Sequence, residues 1–324
     1  MSLQRRHVLL LPAALSVLNI SRAAFAQGAK NWPDKPIRFI TPYPPGGSSD
    51  IITRIVAQGI AQGLGQSIIV ENKPGAGATL GTEYVALAPP DGYTFLVAPM
   101  ATVTIAPWIK KLRYTSESFI PIAKLSSSYG LVSARKDAPF NNYGEFVAAA
   151  KANPGKFTFG SNGVGSVVHL TGVLLHKQTG VDVVHVPYKG AVEAVNDMLG
   201  GRIDVMYDPV PAPYVKSGQL KGLATVSPIR NPLLPDLPTL REQGFNTNAS
   251  SWFGLFAPKG VPDDIFARMA QEARKVTTSE AVKGPLQAAS MYADFEDPQT
   301  FMKRVQDDSQ YFGDVIRKEN IKAD

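Results

Sequence analysis

The sequence contains no cysteine. That excludes a disulfide scaffold, a thiol nucleophile and any zinc site built on thiolates. A chain exported without cysteine must draw its stability from packing alone. Long apolar runs are also missing. The stretch from Val8 to Ile20, broken by short polar residues, falls short of the roughly 20 apolar residues that a spanning helix needs. No later segment is apolar enough to span a membrane, so the mature chain is expected to be soluble. No cluster of Lys and Arg with interleaved aromatics occurs, which argues against nucleic acid as a partner. A Gly-Lys-Ser/Thr phosphate loop, a Gly-x-Ser-x-Gly elbow and a Glu/Asp pair suited to glycoside chemistry are absent too.

What is present fits an exported globular protein. A chain of 324 residues, 44% hydrophobic and 19% charged, is long enough for about two domains with sizeable cores. Residues 1–26 read as a signal peptide. Arg5 and Arg6 precede the short apolar run, and Ala24-Phe25-Ala26 forms a small-x-small cleavage site, leaving Gln27 as the first mature residue. The paired arginines suit either the general secretory or the twin-arginine route. The formal charge of +6 falls to about +3 once Arg5, Arg6 and Arg22 leave with the leader. That excess suits an anionic ligand without demanding one.

Strand-like and helix-like runs alternate through the mature chain. Strands are expected at Lys35–Ile40, Ser67–Glu71 and Tyr93–Ala98. Asp50 reads as the N-cap of a helix with Ile51, Ile55, Val56 and Ile60 on one face. A second series begins near Leu131, with Asn142 capping a helix to about Ala152, a strand at Phe157–Phe159 and a helix from Ser166 to about Gln178. Strands at Asp182–Val186, Ile203–Tyr207 and Leu220–Val226 follow, and Gly200-Gly201 stops the helix Ala191–Leu199. Trp252–Phe256 reads as a further strand, and two helices, the last at Phe301–Lys318, finish the chain. This rhythm predicts an α/β protein of two lobes, each a mostly parallel sheet flanked by helices. The expected lobes are residues 27–126 with 251–324, and residues 127–250. The crossings are placed near Leu125–Ser128 and Ser250–Trp252. A ligand is then expected between the lobes, where loops leave the C-terminal ends of strands.

Two stretches carry the chemistry. Tyr43-Pro44-Pro45-Gly46-Gly47-Ser48-Ser49-Asp50 follows a strand and opens a helix. Its glycines let backbone N–H groups approach a ligand, and the helix start adds a positive dipole end. Such an end holds carboxylates and phosphates without a lysine. Gly160-Ser161-Asn162-Gly163-Val164-Gly165-Ser166 repeats the arrangement in the second series and runs into His169. Ser166 can cap that helix or donate to an anion; His169 can serve the site or simply pack in a core. A dinucleotide loop is rejected, because the next strand ends at Tyr188 with no acid for a ribose, and Asp182 sits at its beginning. Gly75-Ala76-Gly77-Ala78-Thr79 can be a third Gly-rich turn of this kind, and reads more readily as a plain turn before a helix. Tyr188 and Asp208 end strands and can reach the cleft, while Lys189 can equally be a solvated charge, and Asp208 a cap before Pro209. His169 and His176 share a helical face without an acidic ligand at metal spacing. A hydrolase built on Ser166 and His169 is disfavoured, since neighbours on one helix turn seldom form a nucleophile–base pair.

Together these residues resemble the Bug-type substrate-binding proteins of tripartite tricarboxylate transporters. The resemblance runs through essentially the whole mature chain. It is carried by Trp32–Ile37, Tyr43–Asp50, Val70–Gly77, Pro90–Thr94, Val186–Gly190 and Ser251–Leu255. It implies a periplasmic Venus-flytrap (type II) fold, closing on a small carboxylate for delivery to membrane permease subunits. Carried onto this chain, it implies ligand contacts from Tyr43, Gly46, Gly47, Ser48 and Asp50 in one lobe. In the other it implies Asn162, Gly165, Ser166 and His169, with Asp208 at the distal end; Thr102 and Tyr188 complete the candidate set. One departure stands out. Thr102, Ile105 and Pro107 are kept in a segment where the family often carries His and Asn, but here Val103 and Ala106 replace them. If that segment lines the cleft, the distal pocket favours an apolar body such as an aromatic carboxylate. A non-enzymatic binding protein is expected, monomeric, with no metal or organic cofactor. A ligand-sensing adaptor for a membrane sensor kinase would use the same clamp.

Overall fold

The computed structural model describes residues 32–245 and 251–321. The expected leader lies outside the described residues, as does Ser250 in the expected return crossing. The chain begins with β1 (Ile37–Thr41), α1 (Ser48–Leu64), β2 (Ile68–Asn72), α2 (Thr79–Ala86) and β3 (Thr94–Pro99). A π-turn over Ala101–Ile105 leads into α3 (Ala106–Ile109), then β4 (Phe119–Ser128). The second series holds β5 (Leu131–Arg135), α4 (Tyr143–Ala152), β6 (Thr158–Ser161), α5 (Val167–Thr179), β7 (Val184–Pro187), α6 (Ala191–Leu199), β8 (Val205–Tyr207), α7 (Ala212–Lys216) and β9 (Leu220–Thr225). The chain then returns through β10 (Trp252–Pro258), α8 (Asp263–Thr277), α9 (Lys283–Ala288), β11 (Met291–Glu296) and α10 (Pro298–Lys318).

The strands form two sheets. One has six strands in the order β11-β4-β10-β3-β1-β2, the other five in the order β7-β6-β8-β5-β9. Both are mixed, which corrects the expectation of mostly parallel sheets. Among the described strands only β1–β2, β1–β3, β6–β7 and β6–β8 pair in parallel. The alternating strand and helix pattern shows only the crossover units. It does not show that β10, returning after the second series, inserts antiparallel between β3 and β4. Nor does it show that β5 lies antiparallel to both β8 and β9.

Side-chain alternation explains why the six-stranded sheet needs helices on both faces. Phe39, Phe95 and Val97 point into a core shared with Ile52, Val56 and Ile60 of α1 and with Ile265 and Met269 of α8. Their neighbours Ile40, Leu96 and Ala98 join the opposite core with Trp252, Phe256 and, from α10, Phe301 and Phe312. Every residue of β3 is buried, as a central strand requires. Gly254 is needed where β10 passes α10, because a Cβ there would lie 2.3 Å from the Phe301 ring. The five-stranded sheet is packed likewise. Val205 and Tyr207 face one core with Phe146, Phe159 and Leu175, while Met206 faces another with Ala194 and Met198.

The helix that follows the second glycine-rich turn touches both units. Leu170 of α5 is buried in the α10-side core of the six-stranded sheet, with Val167 and Leu174 packed against it. Lys177 pairs with Glu319 just beyond α10. The second turn is therefore braced by both sheets.

Candidate ligand-binding site

The first turn leaves the C-terminal end of β1 and opens α1. The N-cap is Gly47, in extended conformation, and it offers no side chain to the helix end. This corrects the reading of Asp50 as the cap: the helix starts at Ser48, so Asp50 sits in its first turn. The leading N–H groups of a helix lack intrahelical partners. Gly47 and Ser48 are exposed, so their N–H groups open to solvent and to any anion. Gly46 has φ +85°, a backbone that favours glycine.

Asp50 holds this turn in shape. Its Oδ2 accepts the Gly46 N–H at 3.0 Å and Arg54 Nε at 3.0 Å, and its Oδ1 accepts Asn72 Nδ2 at 2.9 Å. The same Asn72 amide donates to the Tyr43 carbonyl at 3.0 Å. The bond from Arg54, more than burial opposes, and those from Gly46 and Asn72 draw the carboxyl down to about 2. Asp50 is thus an anion spent inside the protein. Burial pushes the Tyr43 hydroxyl up to about 12, so it is a neutral group beside the turn.

Thr102 and Val103 lie deeper. The Thr102 hydroxyl donates to the Pro99 carbonyl at 3.1 Å, and its own carbonyl accepts from Tyr114 at 2.8 Å. Val103 is fully buried in the core with Ile40, Phe119 and Phe256. It fills protein interior rather than the cleft. Val103 therefore lends no support to an aromatic ligand.

The second turn leaves the C-terminal end of β6 and opens α5. Ser166 is the N-cap, its Oγ accepting the His169 N–H at 3.2 Å. Gly163 and Gly165 take positive φ values of 113° and 75°, and the Asn162 side chain is exposed. A Cβ on Gly165 would lie 2.3 Å from Ile109 Cδ1 of α3, so the turn comes directly against the other sheet's unit. His169 does not approach the Ser166 hydroxyl as a base: its Nδ1 accepts the Gly165 N–H at 3.1 Å. The serine and histidine do not form a nucleophile–base pair.

Below the turn lie groups that sequence reading did not single out. His185 of β7 stacks on His169 with ring centroids 4.0 Å apart. Its Nε2 lies 2.7 Å from Ser161 Oγ, which also accepts the Gly163 N–H at 3.2 Å. Phe159 meets both rings, and also His176, whose Nε2 lies 2.6 Å from the Tyr207 hydroxyl. Burial pushes His169 down to about 4, His176 to about 3 and His185 to about 4. Asp204, exposed to view only by the fold, ties β6 to β8 by accepting from Thr158 and Arg135. The only sequence signal for His185 is its place on the strand next to the turn. Among the described residues, no group of three or more His, Asp or Glu side chains could hold a metal ion.

Tyr188 follows β7 and gives its N–H to Ser161 O, beside the turn; its hydroxyl donates to Asp197 at 2.8 Å. Asp208 follows β8, nearly fully buried, with Oδ1 accepting the Val210 N–H at 2.8 Å. Burial raises its carboxyl to about 6. The structure thus gathers Asn162, Gly165, Ser166, His169 and Tyr188 around one turn, and Tyr43, Gly46, Gly47, Ser48 and Asp50 around the other. A groove of about 400 Å³ beside α2, lined by Arg38, Leu80, Tyr84, Leu87 and Thr94, lies elsewhere. Arg38 and Thr94 belong to the N-terminal ends of β1 and β3, opposite the end from which the first turn leaves.

Two helix-flanked mixed sheets, each carrying a glycine-rich turn at a helix start, define a two-lobed periplasmic solute-binding fold. Residues 52–321 match the model of the tripartite tricarboxylate transporter family receptor, and the chain belongs to that family. It is 31% identical over 302 residues to protein BugT of Bordetella pertussis, covering 91% of this chain and 92% of that one. A structure described as a periplasmic transporter superposes with a TM-score of 0.79 at 36% identity, covering 91% of this chain and all of the other. MatC of Rhodopseudomonas palustris with bound malate gives a TM-score of 0.74 at 30% identity, covering 88% of this chain and all of that one. These matches support a solute-binding role. Among the described residues no helix is long and apolar enough to cross a membrane.

Proposed function

We propose that this protein binds a small carboxylate outside the cytoplasmic membrane and passes it to the permease subunits of a tripartite tricarboxylate-type transporter. It does so without catalysing a reaction. The proposed lobes are residues 27–126 with 251–324, and residues 127–250. The observation that carries the reading is the pair of strand–turn–helix units, one on each sheet, each ending a parallel strand in a glycine-rich turn. One ligand carboxylate would lie between the Gly46–Ser48 turn and the Asn162–Ser166 turn. Each helix end contributes roughly 0.3–1 kcal/mol, and each N–H or hydroxyl bond to the charge about 1.5–3 kcal/mol.

Contacts to both lobes favour the closed state, and the membrane partner recognises that state. The malate bound to MatC supports a dicarboxylate as the first ligand to try. A thermal-shift screen of the mature protein against tricarboxylates, dicarboxylates, acidic amino acids and aromatic acids tests the reading. A ligand at about 100 times its Kd adds roughly 2.7 kcal/mol of stability. A stabilising carboxylate is the expected result. A panel without any shift, on protein freed of copurified ligand, removes the carboxylate clamp.

A further inference from the structure

The N–H groups of both turn glycines in the second unit are already taken by acceptors within the protein. Gly165 N–H goes to His169 Nδ1 at 3.1 Å. Gly163 N–H goes to Ser161 Oγ, which His185 Nε2 meets at 2.7 Å. The two imidazoles stack at 4.0 Å with their planes 17° apart. A turn whose donors are satisfied from within has fewer to offer an anion.

We propose that His169, with His185 stacked on it, acts as a positioning residue that makes the second turn proton-linked: neutral His169 retains the Gly165 N–H, and protonated His169 releases it to a bound anion. The proposal rests on the clamp reading above. Its physical basis is that an imidazole nitrogen accepts a hydrogen bond only while unprotonated. With Nδ1 accepting, the neutral ring of His169 carries its hydrogen on Nε2. A second proton must go to Nδ1, and the bond from Gly165 then breaks. The same step puts a positive charge beside the turn.

The groups around the ring leave that charge without a partner until a ligand arrives. From β7 comes His185, from β6 the Phe159 ring and Ser161, from α5 itself His176, and from β8 Tyr207, bonded to His176. Among the described residues no carboxylate acts on His169; burial, followed by His185, holds its protonation low. A ligand carboxylate supplies the missing opposite charge. Proton and ligand therefore support each other's binding. His185 limits the response to one added proton, because two stacked imidazolium rings would repel.

The test begins without a ligand. In wild-type protein, the Gly165 amide and the His169 ring are followed by nuclear magnetic resonance from pH 8 to pH 4. The proposal expects the Gly165 amide to shift with the His169 titration. An amide that stays fixed while His169 titrates, or a His169 ring that takes up no proton while the protein stays folded, overturns it. The second measurement is malate affinity against pH for wild type and His169→Gln, whose amide oxygen accepts an N–H but does not titrate. Malate's own protonation is common to both proteins and cancels in the comparison. Wild type should gain about tenfold in affinity, relative to the variant, for each unit by which malate raises the His169 pKa. Equal pH slopes overturn the proposal. If malate and the wider carboxylate panel fail to bind, the clamp reading fails. The Gly165–His169 coupling is then decided by the ligand-free titration alone.

Discussion

The Asp50 carboxylate reaches back four residues to accept the Gly46 N–H, while the same group holds Arg54 and Asn72. An acid at the mouth of the proposed anion site looks self-defeating. Here its charge is neutralised by Arg54, one helical turn away, and its hydrogen bonds fix the loop that presents the helix end. Asn72 extends the brace to Tyr43 and so ties the turn to β2.

Asp50→Ala should therefore loosen the turn and lower stability together. A hydrogen bond to a charged group is worth about 1.5–3 kcal/mol, with the exposed Arg54 partner at the low end or below. A net loss of about 2 kcal/mol is expected. Thermal unfolding of the variant checks it; a melting curve superimposed on that of wild type would show that the brace carries nothing.

Ser166 caps α5, and in the proposed clamp its hydroxyl also meets the ligand; the two roles separate by substitution. Ser166→Ala removes the cap and should cost about 1 kcal/mol, whereas Ser166→Gly should cost only a few tenths. Both remove the hydroxyl, so both should weaken carboxylate binding. Calorimetric titration of the two variants decides the matter. If affinity tracks stability instead of the missing hydroxyl, Ser166 is a cap and no more.

Both turns were legible in the sequence because glycines between a strand pattern and a helix pattern have few other uses. The caps were legible where the side chain is the cap: Asn142 accepts from Glu145 N, and Ser166 from His169 N. Asp50 misled because it is a good cap residue placed three positions too late. Its true partners, Arg54 and Asn72, are a helical turn and a strand away. The mixed sheets escaped notice because β4, β10 and β11 pair across long separations that leave no local periodicity. Val103 packs in a core, and the sequence left that open, since an apolar residue in a polar family motif fits a cleft or a core alike. The stacked His169 and His185 join a helix to a strand through tertiary packing alone.

The desolvated histidines below the second turn should set the acid limit of stability. His169, His176 and His185 are held neutral in the fold, with values of about 4, about 3 and about 4, against 6.5 unfolded. Below pH about 6.5 the unfolded chain takes up protons that the folded one refuses, so stability falls until pH reaches the folded values. Asp208 works in the opposite sense. Its folded value of about 6 exceeds the unfolded 3.8, so its burial costs stability as pH rises through that interval. Three histidines outweigh one acid, and denaturant unfolding should show a loss of several kcal/mol between pH 7 and pH 4.5. Asp208→Asn keeps an acceptor for Val210 N–H and removes the buried charge; it should raise stability at pH 7.5 by about 1–3 kcal/mol. A flat profile in wild type would mean that the three imidazoles are charged, or hydrated, in the native state.

Gly47 offers the sharpest separation of fold from function. Its φ of −83° suits any residue. A Cβ there would meet only the Pro44 carbonyl oxygen, at 3.9 Å. Gly47→Val should therefore fold with a stability within about 1 kcal/mol of wild type. Yet its branched side chain would stand at the N-cap, where the helix end meets solvent and where the clamp places the carboxylate. Binding should be lost while the melting temperature hardly moves. Gly46→Val is the contrasting control: at φ +85° a β-branched residue is strained whatever the space, so stability and binding should fall together. Unimpaired carboxylate affinity in Gly47→Val would remove the first turn from the site, because no rearrangement short of moving the helix end would make room for both.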